Sequence, residues 1–537
     1  CLIMATAEQR YRSGENDRNW VLDKGRNSAR LTVPYLIPES NDPVNNNKDT
    51  YAVPWNGIGA RGVLNLASRM LLALLPPTQQ FFRFSLDEAA LAQQGVGPEQ
   101  KSQFEEALSK IERMVLREIE ASNDRVVFHE ALLHLIVAGN ALLYVAPEGL
   151  RVFHLNRYVC FRDPMGNPLE IVTCEQLPYY ALPEKVRQML EQDEEEDLKG
   201  LYKQPEPLEA KEEEKNCKVY THIKWEGNQV KWHQEVKGKI VEGSEGRAPK
   251  DLSPWLPLRM TRVDGQAYGV GYVEAAAIAD LQTVEALCQA IAEGSLASAA
   301  VRFLVKPSGV TKAADLAKAP NGSFVTGDPN DVLALQVQKS SDLSVAMQGK
   351  EQIERRLSQA FMLNDQRNAE RVTAEEVRLQ ALQVENSLGS IYSILTTEFQ
   401  VPYVARKLDI LTRENKVPKL PPDLVKVVMT VGLAAVGRGN DLEQLVRFTS
   451  TLGQTIGPEG MARYLKPTEL ITRLAYSMGI DTLGLIKTEQ ELQAEAQQAQ
   501  EQAQQQALLQ SAMGDPQKLA NAAQTANEMI NPPQEAQ

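Results

Sequence analysis

Glu274 to Ala300 reads EAAAIADLQTVEALCQAIAEGSLASAA, rich in alanine and free of proline. Alanine gives up no side-chain entropy in a helix, so this stretch predicts one continuous helix on the order of 40 Å long, at ~1.5 Å per residue. It runs into alternating apolar segments. Val301 to Val305, Phe324 to Thr326 and Val332 to Val337 read as strands, with a short helix near Thr311 to Lys318. A second helix follows over Asp342 to Met362, where Ile353, Leu357 and Phe361 stand four apart on one face. Two long helices thus bracket a small α/β insertion.

Past the second helix the chain turns polar from Leu363 to Arg371, too hydrophilic to be buried. Val372-Thr373-Ala374-Glu375-Glu376-Val377 is then a capping box: Thr373 accepts from the Glu376 amide, the Glu376 side chain reaches back, and Val372 and Val377 supply a hydrophobic staple. The helix it starts, Thr373 to Phe399, spaces Val377, Ala381, Val384, Leu388, Ile391 and Leu395 alternately by four and three, which makes a packing seam. After Pro421 and Pro422, Val425 to Val431 is strand-like, and Asp441 to Leu452, Met461 to Tyr476 and Thr488 to Met513 read as helices. Glutamine and alanine dominate Gln490 to Gln510, and the tail beyond Asp515 has too few large apolar residues to offset its ordering entropy.

On the amino-terminal side, the opening segment reads as a helix and then an extended arm through the Asn- and Pro-rich run Asn41 to Lys48, with Met4 as the expected native start. Gly59 to Leu75 predicts a helix stopped by Pro76 and Pro77. Phe104, Leu108, Ile111, Val115 and Ile119 mark one buried face of the next helix. Val126 to Tyr144 reads as a further, very apolar helix carrying Gly139 and Asn140. From Arg151 the period switches to alternation. Tyr158 to Arg162 and Leu169 to Cys174 flank the turn Asp163-Pro164-Met165-Gly166-Asn167. Val219 to Trp225 and Val230 to Val236 flank Glu226-Gly227-Asn228, and Ile240 and Val241 add a short third strand. Between these β stretches the acidic runs Asp193 to Asp197 and Glu212 to Glu214 predict a solvated insertion.

A net charge of -13 argues against a protein that grips nucleic acid over a broad face, because neutralising phosphates needs clustered Lys and Arg. The most apolar stretch, Val63 to Leu75, is broken by Asn65, Ser68 and Arg69 and is too short for a bilayer span, so no membrane is expected. Cys1, Cys160, Cys174, Cys217 and Cys288 form no C-x-x-C pair and read as reduced thiols.

Several motifs imitate chemistry. Gly57-Ile58-Gly59-Ala60-Arg61-Gly62 matches the dinucleotide fingerprint, yet Pro54-Trp55 stands where a strand should enter and Phe81-Phe82 where an acid should follow, so a tight turn with close helix packing is the better reading. His129-Glu130 and His134 carry one residue too many for the zinc protease motif, and His154, His222 and His233 lie in predicted strands without ligand spacing. His222 and His233 are expected to face solvent across a hairpin, and Trp225 and Trp232 to be packing partners. A phosphate loop of the G-x-x-x-x-G-K-[ST] type is missing, as is a G-x-S-x-G elbow. No cofactor, metal or catalytic residue is expected, and the chain does not read as an enzyme.

Trp55 to Pro76 (WNGIGARGVLNLASRMLLALLP), Val137 to Tyr144 (VAGNALLY), Ala360 to Arg378 (AFMLNDQRNAERVTAEEVR), Gly432 to Leu442 (GLAAVGRGNDL) and Gly479 to Glu489 (GIDTLGLIKTE) resemble the portal, or head-to-tail connector, of T-seven-like short-tailed bacteriophages. The similarity spans nearly the whole chain in the same order. It implies an α+β, predominantly helical portal fold assembled as a dodecameric ring around a channel for double-stranded DNA. It implies a wing over 1–270 with the acidic insertion at about 191–216, stem helices over 271–300 and 342–362, and a clip over 301–341. A channel loop over 363–372, a long wing helix and return strand over 373–431, a crown over 432–510 and a disordered tail over 511–537 complete the expected plan. The loop would present Asn364, Asp365, Gln366, Arg367, Asn368, Glu370 and Arg371 to DNA. Arg367 and Arg371 would make weak phosphate contacts, or pair with Asp365 or Glu370.

The implied partners are the terminase large subunit and then a tail adaptor at the clip, with major capsid, scaffolding and internal core proteins elsewhere. The implied location is the capsid vertex of the virion, after assembly in the host cytoplasm, with a part in starting procapsid formation. The alternative is an unrelated helical oligomeric scaffold without a DNA channel, dimerised through the seam of Thr373 to Phe399.

Overall fold

The computed structural model describes residues 6–38, 53–77, 80–86, 98–178, 216–299, 302–335, 340–363, 388–420, 425–429 and 446–455, with a few single positions between them. Two compact units divide the chain, 1–434 and 435–537. In the second, the described residues include a helical stretch over 446–455.

The first unit opens with α1 (Ala7–Arg30), started by a capping box in which the Thr6 hydroxyl accepts from the Gln9 amide and the Gln9 side chain accepts from Thr6. Next come α2 (Ile58–Leu74), β1 (Phe82–Leu86), α3 (Pro98–Ala121) and α4 (Asp124–Ala138). Leu108, Ile111, Val115 and Ile119 of α3 are buried as the spacing predicts, but Phe104 is exposed, lying outside the part of the helix that meets the core.

The helix expected over Val126 to Tyr144 is two elements. Gly139 takes a left-handed conformation (φ +76) and its amide closes the helix on the Leu135 carbonyl at 2.9 Å. The chain then leaves as β2 (Asn140–Ala146), which turns into β3 (Gly149–Phe153). Asn140 locks the corner, exchanging hydrogen bonds with both backbone groups of Gly269 at 2.7 and 2.8 Å. Burial on every side made the switch invisible to periodicity, because helix and strand here are equally apolar.

The β layer follows: β4 (Tyr158–Arg162), β5 (Pro168–Pro178), β6 (Asn216–Glu226), β7 (Gln229–Val236), β8 (Lys239–Ile240) and β9 (Gly246–Pro249). They form one antiparallel sheet in the order β4-β5-β6-β7-β8, with β9 also on β7. α1 crosses one face, burying Ala7 and Tyr11 against Val159, Val172, Cys174 and Tyr220. A further strand, β10 (Trp255–Arg259), pairs with β2 to give a second sheet, β10-β2-β3. Trp225 and Trp232 pack against the main core as expected.

The long helix begins with a π turn, Val273–Ala277, and continues as α5 (Ile278–Ala299). Beyond it stand β11 (Arg302–Val305), α6 (Ala313–Lys318) and β12 (Val332–Leu335), then α7 (Ser340–Ala360). β11 pairs antiparallel with β12. Phe324 to Thr326 is not a strand, and Phe324 is fully exposed with nothing to pair against. The seam residues Leu388, Ile391 and Leu395 are buried. Their helix passes through a π turn at Thr396–Gln400 into α8 (Val401–Arg413), well past its expected end at Phe399; Pro402 is tolerated because it falls at the first α-turn after the π segment. β13 (Val425–Met429) returns to pair with β1.

Candidate functional site

α5 and α7 form an antiparallel pair. Gly294 lies under Leu343, Gly349 beside Leu287, and Asp280 bonds Arg356 at 2.6 Å, which fixes the register at both ends and the middle. From Val273 to Ala299 the chain carries Glu274, Asp280, Glu285 and Glu293 and not one Lys or Arg. Glu274 pairs with Lys24 at 2.5 Å, and Glu285 accepts the Trp55 amide at 2.9 Å. The exposed face between them is alanine, glutamine and threonine.

The base of the pair is clamped by α2. Asn65 donates to the carbonyls of Phe361 and Met362 at 3.0 and 3.1 Å, and the Tyr272 hydroxyl donates to Ala360 at 2.8 Å, so the free carbonyls at the end of α7 find partners. Phe361 is wholly buried, and Gly62 is glycine because a Cβ there would lie 2.5 Å from the ring carbon Cδ2. Asn56 donates to Glu354 at 2.7 Å and accepts the Ile58 amide at 2.8 Å, satisfying one of the free amides at the start of α2. Gly59 passes the Leu31 carbonyl, where a Cβ would come within 2.5 Å. The glycines of the dinucleotide-like motif therefore serve close packing, and the helix start is occupied by Asn56.

At the other end, the module of β11, α6 and β12 is organised by one carboxylate. Asp331 accepts from the Val310 and Thr311 amides at 2.8 and 3.3 Å, while the Thr311 hydroxyl accepts the Asp328 amide at 2.8 Å. Its apolar residues face outward: Phe303 is 67%, Leu304 53%, Val310 83% and Leu333 61% exposed. Among the described residues, no hydrophobic side chain is buried between Val284 and Ile353. Among the described residues, a single chain therefore supplies no buried apolar side chain to the distal half of this hairpin.

Just after the clamp comes Leu363, and the expected DNA-facing residues Asn364, Asp365, Gln366, Arg367, Asn368, Glu370 and Arg371 lie outside the described residues, as does the capping box at Thr373. The acidic insertion falls there too.

The histidines separate. His129 meets Ser68 at 3.3 Å, while His134 is buried against His154 with ring centroids 6.0 Å apart; burial drives His134 down to about 4 and His154 well below its ordinary value. His222 and His233 do not simply face solvent: strand register sets them opposite each other and half-buried, each against a carboxylate, which linear spacing alone did not reveal. The four described cysteines are free thiols. Among the described residues, no helix is long and apolar enough to cross a membrane.

Asn65, Asn56 and Asp331 carry the architecture of this site without having been singled out by the sequence. Asn65 left a trace, a polar residue inside a strongly apolar run; Asp331 left none.

The pattern of a family described as "Bacteriophage head to tail connecting protein" matches residues 4–486. The portal protein of Escherichia phage T7 is 38% identical over 502 residues, covering 92% of this chain and 90% of the relative. That of Enterobacteria phage T3 is 38% identical over 91% of this chain and 89% of its own length, and that of Enterobacteria phage SP6 is 28% identical over 90% of each.

Proposed function

The chain belongs to the bacteriophage head-to-tail connecting protein family, and from that premise we propose that it forms a twelve-subunit portal ring through which double-stranded DNA enters and leaves the capsid. Proteins of this family are structural connectors of the virion, not enzymes, and the alternative of an unrelated scaffold falls with the family assignment.

One observation in the chain carries the ring: a helical hairpin whose outer half, among the described residues, buries no apolar side chain of its own while Phe303, Leu304 and Leu333 stand exposed. Exposed apolar area on this scale is stable only when covered, and neighbours around a ring would cover it. α5 and α7 are then the stem, 301–341 the clip, and the regions before and after them the wing. Residues 432–510 form the crown facing the capsid interior, where internal core proteins attach. A stem helix with four carboxylates and no base of its own, two of them offset by Lys24 and Arg356, gives phosphate little to hold, so DNA slides past it instead of binding. Release and transport need that weakness. The loop over 363–372, hung from the Asn65 and Phe361 clamp, would reach toward DNA with Arg367 and Arg371.

The clip docks the terminase large subunit during packaging and the tail adaptor afterwards. The wing meets major capsid and scaffolding proteins during assembly in the host cytoplasm, where the ring starts procapsid formation. Shortening residues 363–371 tests the conduit. Rings should still form and enter procapsids, while DNA translocation or retention in a defined packaging reaction falls. Normal packaging through the shortened ring would overturn the assignment of that loop.

A further inference from the structure

The β6–β7 hairpin sets His222 opposite His233, with ring centroids 5.3 Å apart, under the first turn of α1. Glu235, two residues on, points to the same face. One ligand-competent atom from each of His222, His233 and Glu235 lies within 4.8 Å of the other two. No other such group occurs among the described residues.

The surroundings hold this cluster in place. Glu235 is buried; one of its oxygens accepts the Ala7 amide at 2.7 Å and the other faces His233 Nε2 at 2.9 Å. Glu170 stands 2.7 Å from His222 Nε2 and is held from behind by Arg10, whose Nε donates at 2.8 Å. Lys224 and Lys231, the next opposed pair on the same face of the hairpin, are drawn off to Glu226 at 3.1 and 2.9 Å. Two carboxylates against one arginine leave the pocket negative when both imidazoles are neutral. The side chains of His222 and His233 keep 13% and 27% of their surface open.

We propose that His222, His233 and Glu235 bind a divalent transition-metal ion of the zinc class. Two imidazole nitrogens and one carboxylate oxygen suit Zn²⁺, at ~2.0–2.2 Å each, and disfavour Ca²⁺ and Mg²⁺, which take oxygen shells. Donors around a tetrahedral ion stand roughly 3.3 Å apart; His233 and Glu235 already meet at 2.9 Å, so it is chiefly His222 that swings inward, by on the order of 1 Å, within reach of rotamer adjustment. His222 exchanges its bond to Glu170 for the metal, and Arg10 keeps Glu170 compensated. Water or Glu170 fills the fourth position. Because Glu235 also holds the amide of Ala7, the ion ties the start of α1 to the hairpin.

The test uses the full-length protein stripped with chelator and titrated with ZnCl₂, counting zinc retained after desalting by mass spectrometry of the metal. One Zn²⁺ per chain is expected. His233→Ala and Glu235→Gln should each weaken binding at least tenfold, His129→Ala should leave it unchanged, and Co²⁺ in place of Zn²⁺ should give the visible absorption of a tetrahedral site. Should His233→Ala fail to fold, His233→Gln carries the same expectation. No retained zinc, or full stoichiometry in these His233 and Glu235 variants, would overturn the site and leave the portal reading untouched.

Discussion

Gly62 and Phe361 offer the sharpest test of how the α5–α7 hairpin is joined to α2. A methyl at position 62 would fall 2.5 Å from Phe361 Cδ2, and the ring cannot retreat because it is wholly buried, with Tyr272 at its edge. Overpacking of this kind costs about 1–3 kcal/mol. Alanine recovers ~0.5–1 kcal/mol of helix propensity relative to glycine, so Gly62→Ala should destabilise by about 1–2 kcal/mol net. Phe361→Leu, which empties part of the same space, should cost about 1–2 kcal/mol alone. In the double variant the new methyl occupies the vacated volume, so the combined loss falls short of the sum by ~1 kcal/mol. Urea unfolding of the dissociated subunit, followed by tryptophan fluorescence, measures all four corners of the cycle. Additivity within ~0.5 kcal/mol would refute the claim that glycine is required here by the ring of Phe361.

Other outcomes follow from the same reasoning. Asp124 is buried; burial pushes its carboxyl up, but hydrogen bonds from Lys407 (2.7 Å) and Tyr403 (2.6 Å) outweigh it and hold the value below normal. Its stability contribution is thus present above the ordinary carboxylate range and lost as pH falls through the lowered value. Lys407→Met should cost about 3–5 kcal/mol at neutral pH and move the acid-unfolding midpoint upward; an unchanged midpoint would count against the pair. Gly139→Ala combines a φ of +76 with a Cβ 2.5 Å from the Val270 carbonyl carbon, and should lower stability by more than ~1 kcal/mol; wild-type melting would contradict it. Asp331→Ala should speed hydrogen exchange at the Val310 and Thr311 amides by on the order of tenfold, the loss of ~1.4 kcal/mol of local protection, with stem exchange unaffected. Thr373→Ala should weaken the start of the following helix by about 1 kcal/mol, read as a lower melting temperature of isolated subunits.

The helix α7 was legible in the sequence because a helix with one covered face leaves a period, and Ile353, Leu357 and Phe361 are all buried as that period requires. α4 and β2 were not separable, since both are surrounded by core and only the left-handed Gly139 divides them. β10 escaped notice because its five residues include Pro257 and follow a 3-10 turn instead of a hairpin signal. That His222 and His233 lie across a hairpin was legible, since counting outward from the turn at Gly227 and Asn228 sets 222 against 233; their half-burial against Glu170 and Glu235 was not, because Glu170 comes from a neighbouring strand far back in the chain. Gly62 read correctly as close packing, although its partner, Phe361, stands too far along the chain for any local pattern to supply.

Native mass spectrometry joined to electron microscopy of the purified protein decides whether the chain closes into a ring. The account predicts a closed assembly of twelve copies of the 59.6 kDa chain, with twelvefold projections around a central hole. A monomer or dimer under every condition would contradict it.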